Sequence, residues 1–186
     1  MRRLTKTLLL LVLLGAVVVV VVLLTSRLYR VPSSAMEPAL HCAKPASGCE
    51  GNGDRVAVSR VLYRLRDPRR GDIVAFRLST PAAIACGSFP DEVSIKRVIA
   101  LPGERWREGN GFIYINGNKL EESYVTADSR DTQTSSDARV PKDEYVVLGD
   151  NRSSSCDSRQ WGFVPRKSLI GPVIATYWPL GRIAIR

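Results

Sequence analysis

Two patterns of apolar positions divide the chain. Residues 8–24 are a run of 17 positions without a charge, almost entirely Leu and Val and interrupted only by Gly15. With Thr7, Thr25 and Ser26 the run reaches 20 residues, enough for a helix to cross a hydrocarbon layer about 30 Å thick. Valine is a poor helix former in water, but in lipid the backbone must satisfy its own hydrogen bonds, which forces a helix. From Asp54 onward the pattern changes to short runs of period two between turn residues. It predicts strands over 54–61, 71–78, 93–101, 144–148, 173–178 and 183–185. The clearest hairpin joins 112–115 to 118–120 through Asn116-Gly117, a pair suited to the positive φ angles of a tight turn. Residues 126–139 are polar and read as an exposed loop. No stretch beyond the first run keeps a 3.6-residue period, so the fold class is mainly β, in antiparallel sheets, with one N-terminal transmembrane helix.

The first run could also be the core of a cleavable signal peptide, since Arg2, Arg3 and Lys6 precede it. It exceeds the roughly 7–15 residues of such cores, and Thr25-Ser26-Arg27-Leu28-Tyr29-Arg30 after it offers no small-x-small site. The expectation is an uncleaved anchor: a cytoplasmic tip over 1–6, a transmembrane anchor over 7–26 and an extracytoplasmic β domain over 27–186. Arg27 and Arg30 partly offset the N-terminal cations in setting orientation, and the shortness of the tip keeps the N-terminus inside. This places a single-pass protein in the cytoplasmic membrane with its folded part on the outer face.

Composition adds to that picture. Cys42, Cys49, Cys86 and Cys156 include no C-x-x-C pair, and His41 with Cys42 and Cys49 fits no common zinc spacing. Disulfides in an oxidising compartment are the better reading. Of the three possible connectivities, closeness in sequence favours Cys42–Cys49 and leaves Cys86–Cys156. The net charge is +9; without Arg2, Arg3 and Lys6, 24 basic residues face 18 acidic ones, or +6. A basic domain tethered at a bilayer is drawn to membrane lipids. The arginines form no basic helix or aromatic-basic ladder, so no nucleic-acid partner is expected.

The candidate chemistry is narrowed by what is missing. A triad with a histidine base is disfavoured, because the one histidine, His41, sits in a Cys/Pro/Gly-rich loop. No phosphate cradle or metal-ligand pattern occurs, and no cofactor is expected. Among six lysines, Lys96 alone lies inside a strand of apolar character, Val93-Ser-Ile-Lys-Arg-Val-Ile-Ala-Leu101. Burial disfavours an ammonium, so such a lysine can turn into a neutral base able to take a proton from a hydroxyl. On spacing alone the simpler reading prevails, in which Lys96 faces water on the polar side of a half-buried strand.

Four segments change that balance. Val31-Pro-Ser-Ser-Ala-Met-Glu-Pro-Ala-Leu40 resembles the first signature box of bacterial type I signal peptidases, Pro-Ser-x-Ser-Met-x-Pro-Thr-Leu. Arg70-Gly-Asp-Ile-Val-Ala-Phe76, Ile95-Lys-Arg-Val-Ile-Ala-Leu-Pro-Gly103 and Gly149-Asp-Asn-Arg-Ser-Ser-Ser-Cys-Asp-Ser-Arg-Gln-Trp-Gly162 resemble the next boxes, in order and behind an anchor. The resemblance implies a coiled β-barrel fold and Ser/Lys dyad cleavage of signal peptides from exported preproteins after a small-x-small motif. It makes Lys96 the general base, Ser155 the hydroxyl that orients it and Ser33 the side-chain donor of the oxyanion hole. Arg97, Asp150, Asp157 and Arg159 become charged supports, and Val31, Pro32, Met36 and Ile95 the lining of apolar substrate subsites.

The departure from the family is Ala35, which stands where the nucleophilic serine immediately precedes the box methionine. Without an Oγ no acyl-enzyme can form, and Ser34 projects from a different position. Because Lys96, Ser33 and Ser155 are all retained, an introduced serine-to-alanine change accounts for the pattern better than a natural pseudo-enzyme. The alternatives are a signal-peptidase-like binding or assembly protein and, more remotely, a self-cleaving repressor-like protein, which the anchor and the lack of a DNA-binding helical segment disfavour.

Overall fold

The structure is a computed structural model that describes residues 12, 13, 15, 24–44, 48–49 and 51–186. The expected cytoplasmic tip and most of the expected anchor lie outside the described residues. Among the described residues no helix is long and apolar enough to cross a membrane. Leu24 and Thr25 are helical and Ser26 already opens a strand, so β structure begins one residue before the expected boundary.

The described residues form two antiparallel sheets joined by short helices and turns, the mainly β class that the period-two pattern predicts. The first strands are β1 (Ser26–Arg30), β2 (Arg55–Ser59), β3 (Ile73–Arg77) and β4 (Val93–Ala100). A smaller unit follows, with β5 (Arg105–Gly109), β6 (Phe112–Ile115), β7 (Asn118–Lys119) and β8 (Ala138–Arg139). The chain then returns through β9 (Glu144–Leu148), β10 (Val164–Pro165), β11 (Leu169–Trp178) and β12 (Ala184–Ile185). The large sheet runs β1-β2-β11-β3-β4-β9-β10 with β12 on β11, and the small one β7-β6-β5-β8.

Three differences from the sequence expectation have a common cause. Strand β1 alternates weakly because it pairs only with β2 and leaves Leu28 exposed. Strand β5 reads as charged, Arg-Trp-Arg-Glu-Gly, yet buries both Trp106 and Glu108. Strand β8 falls at the end of the polar 126–139 segment, where it pairs with β5. Each is an edge or partly polar strand, so its signal lies in its partners rather than its own hydrophobicity.

Pairing fixes which way each side chain of β4 points, because residues directly opposed across a ladder share a face. Lys96 is opposite Val74, and Ser94 opposite Phe76. Val74, Phe76 and Val98 pack with Tyr63, Tyr145 and Val147 in one core cluster. Ile95, opposite Ala75, turns the other way into a second cluster with Val31, Met36 and Leu40. Ile99 and Ala100 both enter a third cluster with Trp106 and Ile113, next to a break in register against β9. The amine of Lys96 is thus carried on a mostly apolar face, with Ser94 the other polar residue of β4 on that side.

Both disulfides favoured by sequence spacing are present. Cys42–Cys49 closes a short loop, and Cys86–Cys156 joins segments 70 residues apart. Cys86 caps helix α2 (Thr80–Ala85), which follows the four-residue helix α1 (Leu62–Leu65). Cys156 immediately precedes Asp157, the N-cap of helix α3 (Ser158–Trp161).

Strand β11 serves both halves of the large sheet, pairing first with β3 and then with β2. At the changeover, a Cβ on Gly171 would lie 1.7 Å from the Ser59 carbonyl oxygen. Backbone cannot yield at that distance. Gly171→Ala is expected to cost about 3 kcal/mol or more of stability, at the upper end for overpacking. Denaturant unfolding of the full chain in detergent measures this, and a loss below about 1 kcal/mol would contradict the crossover geometry.

Candidate active site

The site is assembled from three stretches far apart in sequence. The first is a 3₁₀ turn, Ser34–Met36, closed by a hydrogen bond from Glu37 N–H to the Ser34 carbonyl of 3.0 Å. Ala35 and Met36 are buried within it. The second is β4, carrying Lys96, and the third is the 149–157 segment between β9 and α3. Asn151 fastens the turn twice: its backbone N–H donates to the Ala35 carbonyl at 3.0 Å, and its Nδ2 to the Ser34 carbonyl at 3.3 Å. This close approach requires glycine at 149, where a Cβ would lie 2.4 Å from the Ala35 carbonyl oxygen and 2.2 Å from Ser155 Oγ.

A cleft of about 250 Å³ opens over this junction. Ala35, Ser33, Pro32 and Lys96 line it together with Leu78, and the Cys86–Cys156 disulfide forms part of its wall. Lys96 is only 4% exposed. Its ammonium makes no hydrogen bond or ion pair among the described residues. Burial lowers its pKa from 10.5 to about 8; Asp157 and Asp150 pull it upward, and Arg159 pushes it further down.

The charged supports named from the sequence form one ordered frame behind the cleft. Asp150 is fully buried and takes Arg97 in a two-pronged pair, Nε–Oδ1 2.8 Å and Nη2–Oδ2 2.5 Å. The Arg97 guanidinium also donates to the Gly71 carbonyl and stacks 4.1 Å from the Tyr124 ring centre. Burial raises the Asp150 pKa, against the pull of Arg97. Asp157 caps α3, accepts from Arg159 Nε at 2.8 Å and accepts from Gly149 N–H at 3.0 Å. Arg159 reaches on to Asp131 and Glu108. Burial pushes the Glu108 carboxyl up to about 7, with Arg159 opposing.

The structure brings together Ala35, Lys96, Ser33 and Pro32, but distributes the other expected site residues differently. Val31, Met36 and Ile95 are packed in the core rather than lining the cleft, because the pairing of β4 turns Ile95 to the opposite face from Lys96. The hydrogen bond implied between Ser155 and Lys96 is not made: Ser155 Oγ is buried without a partner and crowds the space beside Gly149. His41 is half-buried and bound by the Glu37 carboxylate, and its backbone N–H donates to Asp54, so it belongs to neither solvent nor the cleft.

Sequence reasoning passed over Asn151 and Gly149 as individual contributors, although both stand in the last long box. It also passed over the buried Arg152–Glu122 pair and Glu108. A carboxylate at a buried position of a strand, as Glu108 is in β5, gives no signal until its arginine is known. Among the described residues no group of three or more His, Cys, Asp or Glu side chains is placed to hold a metal ion.

Comparison with known proteins agrees with the four motifs. The family described as "Signal peptidase, peptidase S26" matches residues 1–178. "Probable signal peptidase I-2" of Synechocystis sp. is 41% identical over 155 residues, 83% of this chain and 64% of that protein. "Signal peptidase I" of Leptolyngbya laminosa is 39% identical over 153 residues, 82% of this chain and 69% of that protein. A crystal structure of a signal peptidase I from Enterococcus faecalis is 34% identical, covering 58% of this chain and 97% of that one, with a TM-score of 0.47.

The position of Lys96 carries a cost that can be measured. Below about pH 8 the amine is charged in both the folded and unfolded chain, and the burial penalty is fully present. Between about pH 8 and 10.5 the unfolded chain binds the proton and the folded chain does not, so stability rises with pH. Lys96→Met is therefore expected to be more stable than the parent chain at pH 7. Its advantage should shrink by roughly 1 kcal/mol per pH unit above pH 8. Thermal unfolding of both chains from pH 6 to 10.5 tests this; a constant difference across that range would place the ammonium in water instead.

Proposed function

The chain belongs to the signal peptidase, peptidase S26 family, and from this we propose that it is a membrane-bound serine endopeptidase of signal-peptide removal, disabled at Ala35. It spans 64% of the length of the Synechocystis relative. The observation that carries the reading is the buried Lys96 sharing one cleft with Ala35 and Ser33. Residues 1–6 remain in the cytoplasm, 7–26 anchor the chain in the cytoplasmic membrane, and the β domain works on the outer face.

With serine in place of Ala35, the hydroxyl oxygen attacks the carbonyl carbon after a small-x-small motif while its proton passes to Lys96. The tetrahedral oxyanion is received by the Ser33 hydroxyl and the backbone N–H at position 35. Each such donor contributes about 3 kcal/mol in comparable sites. Collapse breaks the peptide C–N bond, and the Lys96 ammonium protonates the departing amine. The mature protein leaves as that amine; water then gives its proton to Lys96, attacks the ester and releases the cut signal peptide as the proton returns to the serine oxygen. The depth and small volume of the cleft suit short side chains at the cleavage motif, and Pro32 and Leu78 supply apolar contact. Ser155 holds Lys96 once the amine and the nucleophile are engaged.

A second reading rests on Ala35 itself: a signal-peptidase-like protein that binds exported chains without cutting them. Retention of Lys96 in a buried place where it costs stability favours the enzyme, since a binding module has no use for that amine.

The experiment is cleavage in liposomes of a preprotein bearing Ala-x-Ala. No product is expected from the chain as it stands, correct product from Ala35→Ser, and loss by about a thousandfold or more when Lys96→Ala is added. The rate constant kcat/KM of Ala35→Ser should rise with pH and level off above about pH 8, as the amine becomes neutral. If folded Ala35→Ser binds preproteins but cuts none, the binding reading replaces the enzyme.

A further inference from the structure

Away from the cleft, a groove of about 480 Å³ is lined by six cationic side chains, Arg27, Arg60, Arg64, Arg77, Arg166 and Lys167. Among the described residues only Arg166 of these six has a carboxylate partner, Asp67 at 3.0 Å. Arg77 is held by a backbone carbonyl, that of Asp91. The side chains of Arg27, Arg60, Arg64 and Lys167 make no hydrogen bond or ion pair among the described residues. Clustering five guanidinium groups and an ammonium against one carboxylate is unfavourable, so a groove of this kind is suited to an anionic occupant.

Its place in the fold says which one. Arg27 follows the uncharged run 8–24 by three residues, and the Arg60 N–H donates to the Thr25 carbonyl at 3.1 Å. The groove therefore abuts the point where the apolar run ends. Leu24 and Leu65, close in sequence to Arg27 and Arg64, are both exposed. Apolar side chains and unpaired arginines on one surface match the boundary between acyl chains and phosphate headgroups. The groove and the cleft also share one end of the β3–β4 ladder: Arg77 lines the first, and Val93, its pairing partner, lines the second.

We propose that this groove is a binding site for the headgroup of an anionic phospholipid, which seats the β domain on the bilayer and sets the height of the cleft above it. The inference rests on the reading of 7–26 as an anchor.

The test uses the full chain in a neutral detergent, offered phosphatidylglycerol and phosphatidylcholine of equal chain length and followed by native mass spectrometry. Retention of phosphatidylglycerol should exceed that of phosphatidylcholine by about tenfold. Arg60→Gln and Arg64→Gln should each lower it by about fivefold, whereas Lys119→Gln, exposed on β7 of the small sheet, should leave it unchanged. Unchanged melting temperatures show that the variants fold. Equal retention of both lipids, equal loss in the Lys119→Gln control, or displacement by free phosphate at the same concentration as the lipid overturns the site. Cleavage by Ala35→Ser in pure phosphatidylcholine is read separately. If it persists while lipid preference is absent, the groove fails and the peptidase stands. Release of the chain from vesicles by alkaline extraction removes the anchor, and this inference with it.

Discussion

The hydrogen bond from Asn151 to the Ala35 carbonyl is the joint on which the site depends. It ties a turn near the start of the domain to a loop more than a hundred residues later, across the space left by the side chain that Gly149 lacks. Everything behind that loop serves to hold it still. Asp157 receives the Gly149 N–H while capping a helix, and the neighbouring Asp150 is gripped by Arg97 from β4. Since Lys96 and Arg97 are adjacent on β4, the strand that presents the amine also steadies the loop that faces it.

The electrostatics of the amine are a balance between burial and distance. Desolvation, with a smaller push from Arg159, moves the pKa down, and two carboxylates nearby restore part of it. Each of those carboxylates is already committed to an arginine, so neither is available as a direct partner. The frame thus supplies a field without supplying a salt bridge. An ion pair at Lys96 would keep the proton on the amine, whereas remote, neutralised carboxylates leave the amine close to the point of losing it.

Much of the fold was legible because its central strands are buried on alternate or on all positions. The stretch 144–148 was read to the residue, and β3, β4 and the Asn116-Gly117 hairpin within a residue or two at their ends. Strands β1, β5 and β8 were not, since each depends on a partner or buries a charge whose counterion lies elsewhere in sequence. Of the site, Ala35, Lys96 and the charged supports were reachable through the four boxes. Val31, Met36 and Ile95 were placed in the cleft when they pack in the core. Proximity in a motif does not say which way a side chain turns, whether from a strand as at Ile95 or from a turn as at Met36. The part played by Gly149 could not be read at all, as it consists of a missing atom.

The wall of the cleft is closed by a bond between Cys86 and Cys156, two residues that no ladder brings into register. Cys156 sits between Ser155 and Asp157, so the bond pins the same loop that Asn151 fastens from the other side. In a reducing compartment that pin is open and the loop is held from one side only. A copy of this chain with Cys86 and Cys156 reduced therefore has a looser cleft than an oxidised one, and the site is completed only where that bond can form.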